Sequence, residues 1–240
     1  MDERFLREEM LLGRRAMEKL RGSHVAVFGL GGVGSWCAEA LGRSGVGRLT
    51  LVDEDTVGLS NINRQLCALG STLGRPKAQV MAERIKDINP EAEIKALTAR
   101  YEAASREELL ADFDFVVDAI DLVSCKLDLI ISCRQRGIPI VSALGTGNKR
   151  DAMQLRLDDI SKTCGCALAR VVRKELRRLG VEHHPVVFSP EEPMEPEQRE
   201  APPPGRRSIP GSLVWVPAAA GLLLCQYVVE KLLEGPEAGA

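Results

Sequence analysis

The sequence predicts an α/β protein built on a doubly wound, mostly parallel sheet with a helical and antiparallel C-terminal extension. Three observations predict it. Apolar, β-branched runs recur at 24–29, 48–53, 93–97, 114–118 and 138–142. Helix-period segments separate them at 35–43, 76–88, 105–111 and 123–136, the alternation that parallel strands with crossover helices require. The third is how the first run ends: Val25-Ala-Val-Phe-Gly29-Leu-Gly31-Gly32-Val-Gly34, a strand leaving through a glycine turn into a helix. That context makes the glycine spacing a Rossmann-like nucleotide-binding signal.

Taken in chain order, residues 2–20 read as one charged amphipathic helix ahead of the first strand, which His24 begins. In the glycine turn, Gly29 permits the tight bend, Gly31 and Gly32 let the backbone approach a ligand, and Gly34 lets helix and strand pack. Free N–H groups at the helix start offer an anion site. The second strand, Leu49-Thr-Leu-Val-Asp53, ends in an acid nineteen residues past Gly34, where a ribose-binding carboxylate is expected. Pro76 stands where a proline at the first helical position opens a helix, and Asn89-Pro90 closes it.

From 183 to 217 the character changes. Nine of the 13 prolines fall there, with Glu191, Glu192, Glu195 and Glu197 and then Pro202-Pro-Pro-Gly-Arg-Arg207. Such composition buries too little apolar area to offset ordering entropy. The expected organisation is a nucleotide-binding domain over 1–182 and a mobile crossover segment over 183–213, either a lid or a plain linker. A C-terminal helix over 214–240 then packs back on the domain. The apolar run Leu213–Val229 is interrupted by Pro217 and Gln226 and meets charge at Glu230. It falls short of a comfortable bilayer span and reads as a core helix.

Bulk properties narrow the partners. A net charge of −2 over 240 residues gives no whole-protein attraction to nucleic acid or anionic membrane, so RNA binding requires a local patch. Seven cysteines without regular spacing suit a reducing cytoplasm better than a disulfide framework. The start, Met-Asp-Glu-Arg-Phe-Leu-Arg, lacks the apolar core of a signal peptide, and a cytoplasmic location is expected.

The glycine turn alone does not say which nucleotide is bound, because dehydrogenases, flavoproteins and methyl-transfer folds use related turns. Three segments narrow it: Glu54 to Gln65, Gly74-Arg-Pro-Lys77-Ala, and Val116-Val-Asp118-Ala-Ile-Asp121. A nicotinamide enzyme has no need of an Arg and a Lys just beyond the second strand, whereas a triphosphate carries charge that the turn cannot neutralise alone. Arg64 can fork onto phosphate oxygens and Lys77 acts as a point charge. Asp121, just past a buried strand, is placed to hold Mg²⁺.

Gly29-x-Gly31-Gly32-x-Gly34, Asp53, Ser60-Asn61-Ile-Asn63-Arg64-Gln65, Pro76-Lys77 and Asp118-x-x-Asp121 together resemble the adenylating superfamily of ubiquitin-activating enzymes. The resemblance implies that Asp53 holds the ATP ribose, that Arg64 and Lys77 bind phosphates, and that Asp121 binds Mg²⁺. It adds Asp55, Ser60, Asn61 and Asn63 to the nucleotide set and implies a homodimer in which an arginine reaches the neighbouring site. Arg7 matches that arginine by its distance from Gly13, with Arg4 the alternative. Sulfur-carrier activators of the superfamily carry two Cys-x-x-Cys pairs for zinc. Only Cys164-Gly-Cys166 is paired here, so zinc is not expected.

Gly34 to Ala40, Met81 to Ile85, Asp159-Ile-Ser-Lys-Thr163, Val187 to Pro193 and Val216 to Gly221 are similar instead to the tRNA threonylcarbamoyladenosine dehydratases. That likeness implies attack of the threonyl carboxylate on the α-phosphorus of ATP, giving an acyl-adenylate and pyrophosphate. Ring closure then expels AMP, with net loss of water. The alternatives are adenylation of the C-terminus of a small ubiquitin-like or sulfur-carrier protein, a nicotinamide dehydrogenase, and a non-catalytic scaffold. Sulfur-transfer (desulfurase) partners are compatible with the resemblance but are not required by it.

For tRNA, Arg170, Arg173, Lys174, Arg177 and Arg178 recur at helical spacing and form a basic stripe opposite Leu168, Val172, Leu176 and Leu179. A solvated helix face explains the stripe equally well. Arg206 and Arg207 are a second candidate. Asn148 and Lys149, at the carboxyl end of the fifth strand, lie where substrate residues gather but receive no role. Cys125 reads as structural rather than as a thioester former, and His24, His183 and His184 as surface or structural residues.

Overall fold

The structure, a computed structural model, describes residues 2–199 and 209–234. Its strands are β1 (His24–Phe28), β2 (Arg48–Val52), β3 (Glu93–Leu97), β4 (Phe115–Asp118), β5 (Ile140–Ala143), β6 (Arg156–Asp159) and β7 (Pro185–Phe188). The helices are α1 (Leu6–Leu12), α2 (Arg14–Gly22), α3 (Gly34–Arg43), α4 (Lys77–Ile88), α5 (Arg106–Leu109), α6 (Val123–Gln135), α7 (Ala167–Arg178) and α8 (Trp215–Glu234). The sheet order is β3-β2-β1-β4-β5-β7-β6. All neighbouring pairs are parallel except β6 with β7.

Successive strand side chains point to opposite faces, and here both faces are covered. Val25 and Val27 join Leu49, Leu51 and Val117 beneath α3, α4 and α8. Ala26 and Phe28 join Val116, Leu129, Val172 and Phe188 beneath α6 and α7. The chain runs outward from β1 to β3 and returns to place β4 on the other side of β1. That reversal opens a crevice beyond the carboxyl ends of β1 and β4.

Four expectations are corrected. Residues 2–20 are not one helix: Gly13, at φ 83°, ends α1, and α2 starts anew at Arg14. Pro76 caps α4 from outside rather than opening it, since its ψ of 129° is extended and Lys77 is the first helical residue. Residue 183 is not where the sheet domain stops, because β7 lies inside the sheet between β5 and β6. Pro185 occupies the first strand position, where a missing N–H costs least. Leu179 is 55 % exposed and not part of the inward face of α7, which ends at Arg178. The stretch Pro202–Arg207 and the last residues from 235 lie outside the described residues.

α8 packs on α3 through small residues. A Cβ at Gly221 would stand 2.5 Å from the Val33 carbonyl oxygen. Val216, Ala220, Leu224 and Val228 line its buried face, as a core helix requires.

Candidate nucleotide and substrate site

A cavity of about 1010 Å³ occupies the crevice, walled by the glycine turn, the ends of β2, β4 and β5, and residues 210–212 of the returning chain. Gly29 has φ 88°, and a Cβ there would lie 2.7 Å from the Ala119 carbonyl oxygen. A Cβ on Gly34 would lie 1.8 Å from the Gly29 carbonyl oxygen, so this residue serves packing and is absent from the cavity wall. Gly31 meets only Gln65 Nε2, at 3.9 Å, and presents bare backbone to the cavity. Ser35 Oγ donates to Gly31 O at 2.6 Å and accepts from Leu66 N at 3.2 Å, which holds the turn in place.

Asp53 is half-buried on the wall. Its carboxylate accepts the Leu30 N–H at 2.6 Å and the Asp55 N–H at 2.9 Å. Burial nonetheless raises its pKa above the usual aspartate range, with Lys77 and the two amides opposing. Lys77 is 4 % exposed, and its Nζ donates to Asp55 Oδ2 at 2.7 Å. Arg64 Nη1 donates to Ser60 O and Asn63 Oδ1, both at 2.9 Å. Partial burial lowers the Arg64 pKa. Asn61 reaches the wall, its Oδ1 accepting the Gly58 N–H at 3.0 Å.

Ser60 and Asn63, expected in the nucleotide set, do not line the cavity themselves. They orient Arg64 from behind, and Asn63 Nδ2 also donates to Ser212 O at 3.0 Å. Asp121 stands exposed on the wall, three residues past the end of β4. Arg7 is exposed on α1 and lies off the wall of its own chain's cavity.

Asn148 and Lys149, left without a role by the sequence, anchor the crossover segment. Asn148 sits at φ 60°, and its Oδ1 accepts the Gly211 N–H at 2.6 Å. Its backbone N–H donates to Gly211 O, and its carbonyl accepts the Met194 N–H, both at 2.8 Å. Lys149 is buried, with Nζ donating to Gly165 O at 3.3 Å and to Glu191 O.

The ThiF family profile matches residues 5–238. This chain belongs to the ThiF family. Among curated relatives, the tRNA threonylcarbamoyladenosine dehydratase of Bacillus subtilis is 42 % identical, the match covering 99 % of this ThiF chain and 97 % of that one. Among solved structures, Escherichia coli tRNA N6-threonylcarbamoyladenosine dehydratase in complex with ATP superposes with a TM-score of 0.88 at 34 % identity. That match covers 99 % of this chain and 97 % of the other. The same enzyme in complex with AMP gives the same score over 97 % and 94 %.

Elsewhere on this ThiF-family chain, the basic stripe is divided. Arg170, Lys174, Arg177 and Arg178 are exposed on α7, with Arg178 paired to Glu175 at 2.9 Å. Arg173 turns back instead and donates to Thr163 O and Oγ1 at 2.5 Å. It braces the start of α7 rather than joining the exposed face. Cys125 is buried on the cavity wall, Cys166 caps α7 with Sγ accepting the Ala169 N–H at 3.4 Å, and Cys164 is exposed.

Two buried polar groups complete this region: Lys126, which the sequence did not single out, and His184, expected as a surface or structural residue and found buried. Lys126 donates to Asp118 Oδ2 at 2.6 Å and to Ala143 O at 2.9 Å, with both charged side chains at 0 % exposure. His184, beside β7, pairs Nε2 with Ser142 Oγ at 2.8 Å. Burial, reinforced by the Lys126 charge, pushes its pKa down to about 3. A lysine eight residues past a strand-end aspartate was the only available signal for the first, and it reads as an ordinary helix lysine.

Proposed function

We propose that this chain uses ATP to cyclise threonylcarbamoyladenosine on tRNA through an acyl-adenylate. One observation carries the reading. The glycine turn, Asp53, Arg64, Lys77 and Asp121 share one cavity, in a chain alike from end to end to a dehydratase of that name.

The ribose falls to Asp53, whose two amide bonds hold the carboxylate at the carboxyl end of β2. Lys77 and Arg64 face the phosphates, where charge shifts as the pyrophosphate leaves. Each is pre-set by neighbours, Lys77 by Asp55 and Arg64 by Ser60 and Asn63, so little reorganisation remains at the moment of reaction. The substrate carboxylate attacks the α-phosphorus, and the group that closes the ring lies within the same substrate. The protein therefore supplies position and charge, and no side-chain nucleophile, so Cys125 needs no role.

Mg²⁺ fits this site. Among the described residues no three His, Cys, Asp or Glu side chains cluster as metal ligands. Asp53 and Asp55 are engaged with backbone amides and Lys77, whereas the Asp121 carboxylate on the wall suits an ion that takes its other oxygens from phosphates and water. When bound, it would neutralise charge on the triphosphate.

The remaining partners follow from placement. Arg7 is off its own chain's cavity, which suits an arginine offered to a second copy in a homodimer. Arg170, Lys174, Arg177 and Arg178 form the tRNA-facing surface. The proposed reaction needs no sulfur-transfer partner, and a tRNA substrate is in keeping with the cytoplasmic location expected from the sequence.

The test incubates the protein with Mg²⁺, ATP and threonylcarbamoylated tRNA, then weighs the digested nucleosides and measures AMP. Loss of one water with matching AMP is the expected result. An unchanged nucleoside, with AMP formed only when a carrier protein ending in Gly-Gly is added, transfers the assignment to carrier-protein adenylation.

A further inference from the structure

Lys126 lies in the second turn of α6, with no exposed surface. Lysine is rarely buried completely, and removing an ammonium from water costs several kcal/mol before pairing offsets it. Apolar residues of the same volume commonly stabilise a fold as well or better, so stability alone is a weak reason for this pair.

Its position offers a stronger one. Asp118 and Ala143 are the last residues of neighbouring strands β4 and β5, whose register pairs Asp118 with Ser142. Beyond them the two chains part and the ladder can no longer hold them together. One runs through 119–123 and carries Asp121; the other runs through 144–149 and carries Asn148, and both lie on the cavity wall. Lys126 closes this fork with one bond to each branch. The second Asp118 oxygen accepts the Ile120 N–H at 3.1 Å, which directs the first branch toward Asp121. Ala119, on that branch, is also the residue against which Gly29 packs. On the second branch, Asn148 ties Gly211 and Met194, so the fork reaches the crossover segment as well.

We propose that Lys126 is a positioning residue for adenylate formation: by bridging Asp118 and Ala143 it sets the spacing between the Asp121 loop and the 144–149 loop. This rests on the function proposed above. Asp53, Arg64 and Lys77 are held by other residues, so the ribose and phosphate contacts they make do not pass through the bridge. What depends on it is the approach of the substrate carboxylate to the α-phosphorus, where a displacement near 1 Å costs about 100-fold.

Two double variants test this, each removing both charges so that none is left buried and unpaired. Lys126→Met with Asp118→Asn removes the bridge. Lys126→Gln with Asp118→Asn keeps an amide donor for the Ala143 carbonyl. Turnover is measured per nucleotide-competent chain, counted by binding of a non-hydrolysable ATP analogue, on modified tRNA. If wild type ignores the tRNA, the proposed function fails, and the same comparison is made on a carrier protein.

Both variants are expected to bind the analogue within about threefold of wild type. The Met pair should lose roughly 30- to 100-fold in turnover per competent chain, and the Gln pair should recover about fivefold or more of that. Turnover of the Met pair within about twofold of wild type overturns the proposal, as do equal losses in the two variants. Failure of both to fold assigns the pair to stability and overturns it too.

Discussion

Replacing His184 with glutamine should remove most of an acid sensitivity that the fold builds in. The imidazole is 1 % exposed, Nε2 is paired to Ser142 Oγ, and Nδ1 has no hydrogen-bond partner among the described residues. Burial is the main reason its pKa falls from 6.5 to about 3, and the charges of Lys126 and Arg134 add to it. Between those two values the unfolded chain binds a proton that the folded chain refuses, so stability rises with pH across this window and is lost on acidification. Each unit is worth about 1.4 kcal/mol, so going from pH 7 to pH 5 should cost about 2 kcal/mol, and the full window about 5 kcal/mol.

His184→Gln keeps a group that can bond Ser142 and does not titrate. Its backbone N–H still reaches Asp159 Oδ2, a bond of 3.0 Å, so that carboxylate's own titration cancels in the comparison. The assay is urea unfolding of both proteins at pH 7 and pH 5, at one protein concentration. The pH-dependent loss should be smaller in the variant by about 2 kcal/mol. A difference below about 0.5 kcal/mol would mean that His184 accepts its proton inside the fold, and the burial argument would be wrong.

Other outcomes follow from the site. Gly34→Ala puts a Cβ 1.8 Å from Gly29 O, so the turn must move and the melting temperature and ATP binding should both fall; an ATP affinity equal to wild type would refute the packing role. Arg64→Ala and Asp121→Ala should each cut adenylate formation by about 100- to 1000-fold, read as AMP release. Near-normal release by either variant would remove that residue from the phosphate site. Replacing Arg170, Lys174 and Arg177 together by alanine should weaken tRNA binding and flatten its salt dependence by roughly two to three units of slope, with ATP affinity unchanged. An unaltered slope would make that helix face mere surface. Arg173→Ala should lower thermal stability instead, since its guanidinium is committed to Thr163.

What was legible in the sequence was whatever repeats or concentrates a local signal. The glycine turn and strands β1, β2, β4 and β5 announce themselves because a buried parallel strand must be apolar on both faces, while the edge strand β3 shows only an alternation of exposed and half-buried residues. β6 and β7 did not. β6 reads Arg-Leu-Asp-Asp, the polar composition of an edge, and β7 is four residues starting at a proline within a proline-rich stretch. Ser60 and Asn63 belong to the right motif but stand one layer behind the cavity, a distinction that motif spacing cannot make. Gly13 was visible as a glycine, yet only its φ of 83° shows that it divides the N-terminal helix.

By itself, the order of residues determined the α/β plan, the nucleotide bend and the residue types needed for a triphosphate, since backbone freedom, periodicity and charge are local properties. The tertiary structure alone decided which of those groups reach the cavity, that Arg173 faces inward, and that Lys126 joins two strand ends. Those outcomes depend on which distant groups remain within about 3 Å of a buried charge, and spacing along the chain carries no record of that distance.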